Sequence, residues 1–187
     1  MKKVHFYKNQ KPLIIAEISA NHCGSKKSFL NHIKVAHKCG ADLVKIQTYE
    51  PEDITLNSKN NFFKIKKGIW KNKYLWDLYE KAHTPYDWHY DAFKLAKKNG
   101  INLFSTPFSS KAVNFLEKFN VPLYKVSSLE MNDFSLVKRI AQTKKPVIMS
   151  TGMANIDEIT KSVNVLKKYG CKRLILLYCV SNYPSNV

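Results

Sequence analysis

Short apolar runs ending in polar residues alternate along this chain with segments whose apolar positions recur every three or four residues. The runs are LIIAEIS (13–19), DLVKIQ (42–47), NLFSTP (102–107), PLYKVSS (122–128), PVIMST (146–151) and RLILLYCVS (173–181). Between them, Phe29, Leu30, Ile33 and Ala36 fall at helical spacing, as do Ile159, Val163 and Leu166. Gly40, Gly100, Asn120 and Gly170 punctuate the joins. Thr84 is expected to cap a helix with Pro85 at its first position, and Asn155 with Glu158 to form a capping box. A helix is expected around LWDLYEKA, inside an aromatic excursion from Glu50 to His83. That excursion either shapes a substrate pocket or covers one edge of the fold as a packing insert.

Strand and helix in alternation predict a parallel sheet with helices outside it. A doubly wound sheet and a (β/α)8 TIM barrel both satisfy that pattern. The doubly wound sheet wants strands that are apolar throughout, because both of its faces are covered. Here polar residues gather at the C-terminal ends of six successive strands, where barrel active sites lie. They are Glu17, Lys45 and Gln47, Ser105 and Thr106, Lys125 with Ser127 and Ser128, Ser150 and Thr151, and Ser181. The expectation is therefore α/β, a TIM barrel truncated after about six βα units, because the chain stops at NYPSNV just after the sixth strand.

Two lysines stand inside apolar strands, Lys45 between Val44 and Ile46, and Lys125 between Tyr124 and Val126. A buried ammonium group is costly unless a negative partner meets it. Strand alternation places Leu43, Lys45 and Gln47 on one face and Val44 and Ile46 on the other. If the apolar pair faces the helices, Lys45 and Gln47 face the barrel axis, and so does Lys125. Two lysines with a threonine and several serines describe an anion site for phosphate or carboxylate. Glu17 and Glu130 are candidate acid–base groups near the same mouth. The bland alternative is that Lys45 pairs with Glu17 or Glu130 in a structural ion network.

The chain has 187 residues, enough for one domain with a real core, and 44% hydrophobic and 12% aromatic content argue for a globular protein. No apolar run reaches the roughly 18–20 residues of a membrane span, and no signal-peptide core is present, so a cytoplasmic protein with no membrane partner is expected. The net charge of +17 raises nucleic acid as a partner. Only Arg139 and Arg173 are arginines, though, and the lysines read as solvated helix faces, so none is expected. The four cysteines show no CxxC pairing and read as reduced thiols. His32 and His37 are five apart, off one helical face, and read as surface residues.

The segments IIAEISANHCGS, VKIQTY, FSTPF, YKVSSLE, VIMSTGMA and CVSNYP, in this order, resemble the sialic acid synthase family. The insert KKGIWKNKYLWDLYEKAHTPYDWH is most similar to its pseudaminic acid synthase branch. The resemblance implies a carbon–carbon bond-forming transferase that condenses phosphoenolpyruvate with the aldehyde of an acetamido sugar. The enol carbon attacks the open-chain aldehyde, water adds at the neighbouring carbon, and phosphate leaves by C–O cleavage, giving a nine-carbon 2-keto sugar acid. It further implies that Lys45, Thr106, Lys125, Ser128, Ser150 and Ser181 bind phosphoenolpyruvate, that Gln47 and Tyr183 contact the sugar, and that Glu17 and Glu130 are the catalytic carboxylates. Family members use a divalent metal, typically Mn2+, held by two histidines expected beyond residue 187. No metal ligand is therefore assigned in this chain, and His22 of ANHCG is not promoted to one. Residues 1–187 form a single incomplete barrel domain on this pattern, without the C-terminal antifreeze-like (SAF) domain, and the longer form is expected to be a homodimer. The chain alone is expected to lack turnover. The rival expectation is a non-catalytic remnant that still binds phosphoenolpyruvate or sugar.

Overall fold

The structure is a computed structural model and describes residues 12–181. Six strands appear where the apolar runs stand: β1 (Ile15–Glu17), β2 (Leu43–Thr48), β3 (Leu103–Pro107), β4 (Tyr124–Val126), β5 (Val147–Ser150) and β6 (Leu174–Leu177). The helices between them are α1 (Lys26–Lys38), α2 (Leu75–Ala82), α3 (Tyr86–Asn99), α4 (Ser110–Glu117), α5 (Phe134–Gln142) and α6 (Ile156–Lys168). Hydrogen-bonded neighbours in the sheet follow chain order from β1 to β6. A doubly wound sheet reverses its strand order at a switch point. No reversal occurs here, so the barrel-type expectation holds and the doubly wound alternative does not.

The chain divides into two compact units, one ending at Phe104 and the other beginning at Ser105. In the first, β1 and β2 run parallel with Ile15 opposite Leu43, Ala16 opposite Val44 and Glu17 opposite Lys45. Helix α1 starts at Ser25, whose side chain accepts from the Ser28 amide, and it buries Phe29 and Ile33 as its apolar spacing predicts. Helix α3 buries His89, Ala92, Phe93 and Ala96 and ends on Gly100, whose left-handed φ of 66° suits glycine. Its N-terminus corrects one expectation. Pro85, not Thr84, occupies the cap position, and no side chain caps the helix. The residue before a proline is pushed toward extended backbone, and a Pro85 ψ of 139° keeps Pro85 itself outside the helix.

In the second unit, Ser105 of β3 lies opposite Tyr124 of β4. Strand β4 pairs with β5 through Tyr124–Val147, Lys125–Ile148 and Val126–Met149. Strand β5 pairs with β6 from Val147–Leu174 to Ser150–Leu177. Asp133 caps α5 by accepting from the Ser135 and Leu136 amides, both at 3.0 Å. The predicted capping box at Asn155 and Glu158 opens α6. Such caps contribute about 1 kcal/mol each. A buried Leu or Ile contributes about 1.5–3 kcal/mol, so Leu116, Leu123, Leu136, Ile140 and Leu166, all buried, dominate this core. At the two ends of the sheet order, Ile14, Leu176 and Leu177 are exposed, as expected for the apolar flanks of first and last strands.

Candidate functional site

In the first unit, the two faces of β2 are told apart by what they touch. Val44, Ile46 and Thr48 are buried, and the Thr48 hydroxyl meets His89 Nε2 of α3 at 2.9 Å. That face is the helix face. Lys45 and Gln47 alternate with these residues and therefore point away from the helices. Lys45 Nζ forms an ion pair with Glu17 Oε2, its cross-strand neighbour. The structural pairing weighed from the sequence is thus present for Lys45 and Glu17, two of the predicted site residues.

The second unit repeats the alternation. The Tyr124 hydroxyl donates to Glu117 Oε1 of α4 at 2.7 Å, which fixes the helix face of β4. Lys125, next in the strand, points to the opposite face. There its Nζ donates to Ser150 Oγ and to the Val126 carbonyl oxygen, both at 2.6 Å. The Ser105–Tyr124 register sets Thr106 alongside Lys125 on that same face. The Ser150–Leu177 register carries the face on toward Cys179. Thr106, Lys125 and Ser150 are all buried. Among the described residues, Lys125 forms no ion pair, in contrast to Lys45.

Burial is the dominant influence on Lys125 and pulls its pKa down to about 8, with Cys179 and Glu130 nearby opposing it. Glu130 opens a short 3-10 turn, Glu130–Asn132, directly after β4. Burial pushes its carboxyl up to about 7, against the smaller pull of Lys125. Its Oε2 is buried and has no hydrogen-bond partner among the described residues. Ser128 accepts the Gly152 amide at 3.1 Å. Ser181 is exposed, with its Oγ beside Gly152. The second unit thereby brings together Thr106, Lys125, Ser128, Glu130, Ser150 and Ser181. Tyr183 lies outside the described residues.

His22 is buried, its Nδ1 accepts the Gly24 amide at 3.0 Å, and its ring stands edge-on to Phe29 and Trp88. Burial lowers its pKa, and the ring packs among these aromatic side chains. Among the described residues no group of three or more His, Cys, Asp or Glu could hold a metal ion. The Mn2+ that the sequence resemblance implies therefore finds no ligand set in them. The aromatic excursion divides in character. Tyr79 of α2 packs edge-on against Tyr49, whereas Phe62, Ile69 and Trp70 are exposed around an antiparallel bridge between Lys64 and Tyr74.

Two features were not read from the sequence. His89 shares its helix face with Ala92, Phe93 and Ala96, a spacing that marks a core position. Gly152 is buried although its backbone φ is not left-handed.

A NeuB family model matches residues 32–187. Pseudaminic acid synthase of Campylobacter jejuni subsp. jejuni serotype O:2 is 45% identical over 98% of this chain and 53% of its own length. Pseudaminic acid synthase of Helicobacter pylori is 41% identical over 95% of the chain and 52% of its own length. Among solved structures, N-acetylneuraminic acid synthetase of Leptospira borgpetersenii serovar Hardjo-bovis, in complex with citrate, superposes with a TM-score of 0.79. It is 29% identical over 93% of this chain and 56% of that one. The chain spans about half the length of the curated relatives it matches.

Proposed function

The chain belongs to the NeuB family, and from that premise we propose that it supplies the phosphoenolpyruvate-binding part of a synthase that condenses phosphoenolpyruvate with an acetamido-sugar aldehyde. The observation that carries this reading is Lys125. Its buried ammonium group is hydrogen-bonded to Ser150, has no carboxylate in ion-pair contact among the described residues, and faces away from the helices. A cation desolvated in this way favours an anionic guest, and lysine serves an oxyanion as a point charge. Thr106, Ser128 and Ser150 add hydroxyls that can donate to phosphate or carboxylate oxygens. Phosphoenolpyruvate carries both groups.

Glu130, with a pKa near 7, is available as proton donor or acceptor at neutral pH, which suits it to orient or deprotonate the water that adds during condensation. By motif match, Lys45 is a further phosphoenolpyruvate ligand, Gln47 and Tyr183 are sugar ligands, and Glu17 is a second acid–base group. The pseudaminic acid synthases among the relatives support a 2,4-diacetamido sugar as the acceptor.

Product formation tests the reading. The 187-residue chain is expected to bind phosphoenolpyruvate without turnover. Joined to the C-terminal half of the C. jejuni synthase and given manganese and a 2,4-diacetamido hexose, it is expected to form a 2-keto sugar acid with one phosphate released per product. A folded hybrid that binds phosphoenolpyruvate yet forms no product would favour the non-catalytic remnant instead.

A further inference from the structure

We infer that Gly152 is a positioning residue that holds three strand ends together at the anion site, by the absence of its side chain and by its amide. An added Cβ at Gly152 would lie 2.6 Å from the Cys179 carbonyl oxygen and 3.1 Å from Ser128 Oγ, with Ser181 Oγ nearer than either. Real Cβ atoms essentially never approach other atoms under 3.0 Å. Gly24, Gly40, Gly68, Gly100 and Gly170 all have positive φ, the usual reason for glycine. Gly152 does not, and close approach is what requires it.

The neighbours explain what the approach achieves. Ser128 follows β4, Gly152 follows β5, and Cys179 and Ser181 follow β6. The Gly152 amide donates to Ser128 Oγ at 3.1 Å. Thr151, one residue earlier, ties to β6 through both its amide and its hydroxyl, each 3.0 Å from the Leu177 carbonyl oxygen. The residue after β5 is therefore anchored to β6, and the next one reaches back to the end of β4. Ser181 Oγ occupies the space that a side chain at Gly152 would fill, so the Ser128 and Ser181 hydroxyls converge on one backbone position. Cys179 is the neighbour whose proximity acts on Lys125. A shift at Gly152 is thus transmitted to Ser128, to Ser181 and to the segment flanking Lys125. No contact of Gly152 with substrate is required.

The consequence for ligand binding rests on the phosphoenolpyruvate reading above, and the consequence for geometry does not. The experiment separates them by using two readouts on the 187-residue chain, phosphoenolpyruvate affinity by isothermal titration and the alkylation rate of each cysteine by mass spectrometry. Gly152→Ala is expected to weaken phosphoenolpyruvate at least about tenfold and to speed alkylation of Cys179 several-fold, with the exposed Cys23 and Cys39 unchanged. Ser128→Ala adds no atom and removes the acceptor of the Gly152 amide. It guards against a Gly152→Ala chain that fails to fold, and is likewise expected to speed Cys179 alone. If the parent chain fails to bind phosphoenolpyruvate but Cys179 responds, the substrate reading falls and the positioning role stands. Parent-like Cys179 rates in the folded variants, or parent-like affinity in Gly152→Ala, would overturn the inference.

Discussion

Lys125 Nζ and Ser150 Oγ lie 2.6 Å apart across the β4–β5 pair, on the face of the sheet away from α4. Ser150 stands two residues beyond Ile148, the cross-strand partner of Lys125, so strand alternation alone brings ammonium and hydroxyl to the same side. The contact satisfies one of three ammonium donors and the Val126 carbonyl another. What remains is a buried positive charge with no carboxylate in ion-pair contact among the described residues, and its consequences can be measured.

Lys125→Met should separate stability from binding. Burial holds the Lys125 pKa down at about 8, so at neutral pH the folded chain carries a charge that is better solvated when unfolded. An apolar side chain of similar length removes that cost. The variant is expected to be more stable by about 1–3 kcal/mol in urea unfolding at pH 7. A clear loss of stability would mean that the ammonium group holds the fold rather than waiting for a ligand.

Affinity for phosphoenolpyruvate should fall as pH rises. Above about 8 the free chain loses the Lys125 proton, and above about 7 it gains the Glu130 charge. Both changes disfavour an anion, so titrations from pH 6.5 to 9 should show weakening that begins near 7 and steepens beyond 8. Glu130→Gln should remove the earlier part of that decline and keep the later part. A flat profile in the parent contradicts the assignment of both groups.

His89 makes the first unit acid-sensitive. Its Nδ1 meets the Pro85 carbonyl oxygen at 3.1 Å and its Nε2 meets the Thr48 hydroxyl at 2.9 Å, so the ring bridges α3 and β2. Burial lowers its pKa to about 4. Because the folded pKa lies below the unfolded one, this stability is fully present above pH 6.5 and is lost as pH falls toward 4. The loss should reach about 3 kcal/mol, one pKa unit being worth about 1.4 kcal/mol. His89→Gln should be less stable at pH 7 but lose less between pH 6.5 and 4.5, as read by thermal unfolding.

Glu117 supports the helix face of β4 and should not affect the site. It accepts from the Tyr124 hydroxyl at 2.7 Å and from Lys145 Nζ at 2.8 Å. Burial alone would raise its pKa, but the hydrogen bonds from Lys145 and Tyr124 outweigh that and hold the carboxyl below its usual range. Glu117→Ala leaves the Tyr124 hydroxyl without its acceptor, a loss of about 1–3 kcal/mol. Phosphoenolpyruvate affinity should stay at the parent level. A large loss of affinity would show that the two faces of β4 are not independent.

Much of this arrangement was legible in the chain because strand alternation is rigid. Lys45 and Lys125 interrupt apolar runs, and a period of two places each opposite neighbours that pack on helices. The Asn155 capping box was legible for a similar reason, since its two partners are fixed by spacing. The cap of α3 was misplaced by one residue because the proline that favours a first-turn position also suits the cap itself. The role of His89 could have been read from its spacing with Ala92, Phe93 and Ala96, but a histidine counts as polar in a hydrophobic pattern. Gly152 left no such trace. Its requirement comes from Cys179 and Ser181 more than twenty residues later, and no local period encodes how closely two loops approach.

The most direct test compares two lysines that lie on opposite faces of the same unit. Isothermal titration of phosphoenolpyruvate at pH 7 would be run on the parent chain, Lys125→Met and Lys145→Met. The prediction is binding by the parent and by Lys145→Met, with Lys125→Met weakened at least about tenfold, or 1.4 kcal/mol. Equal affinity in Lys125→Met and the parent, or no binding by a folded parent, would contradict it.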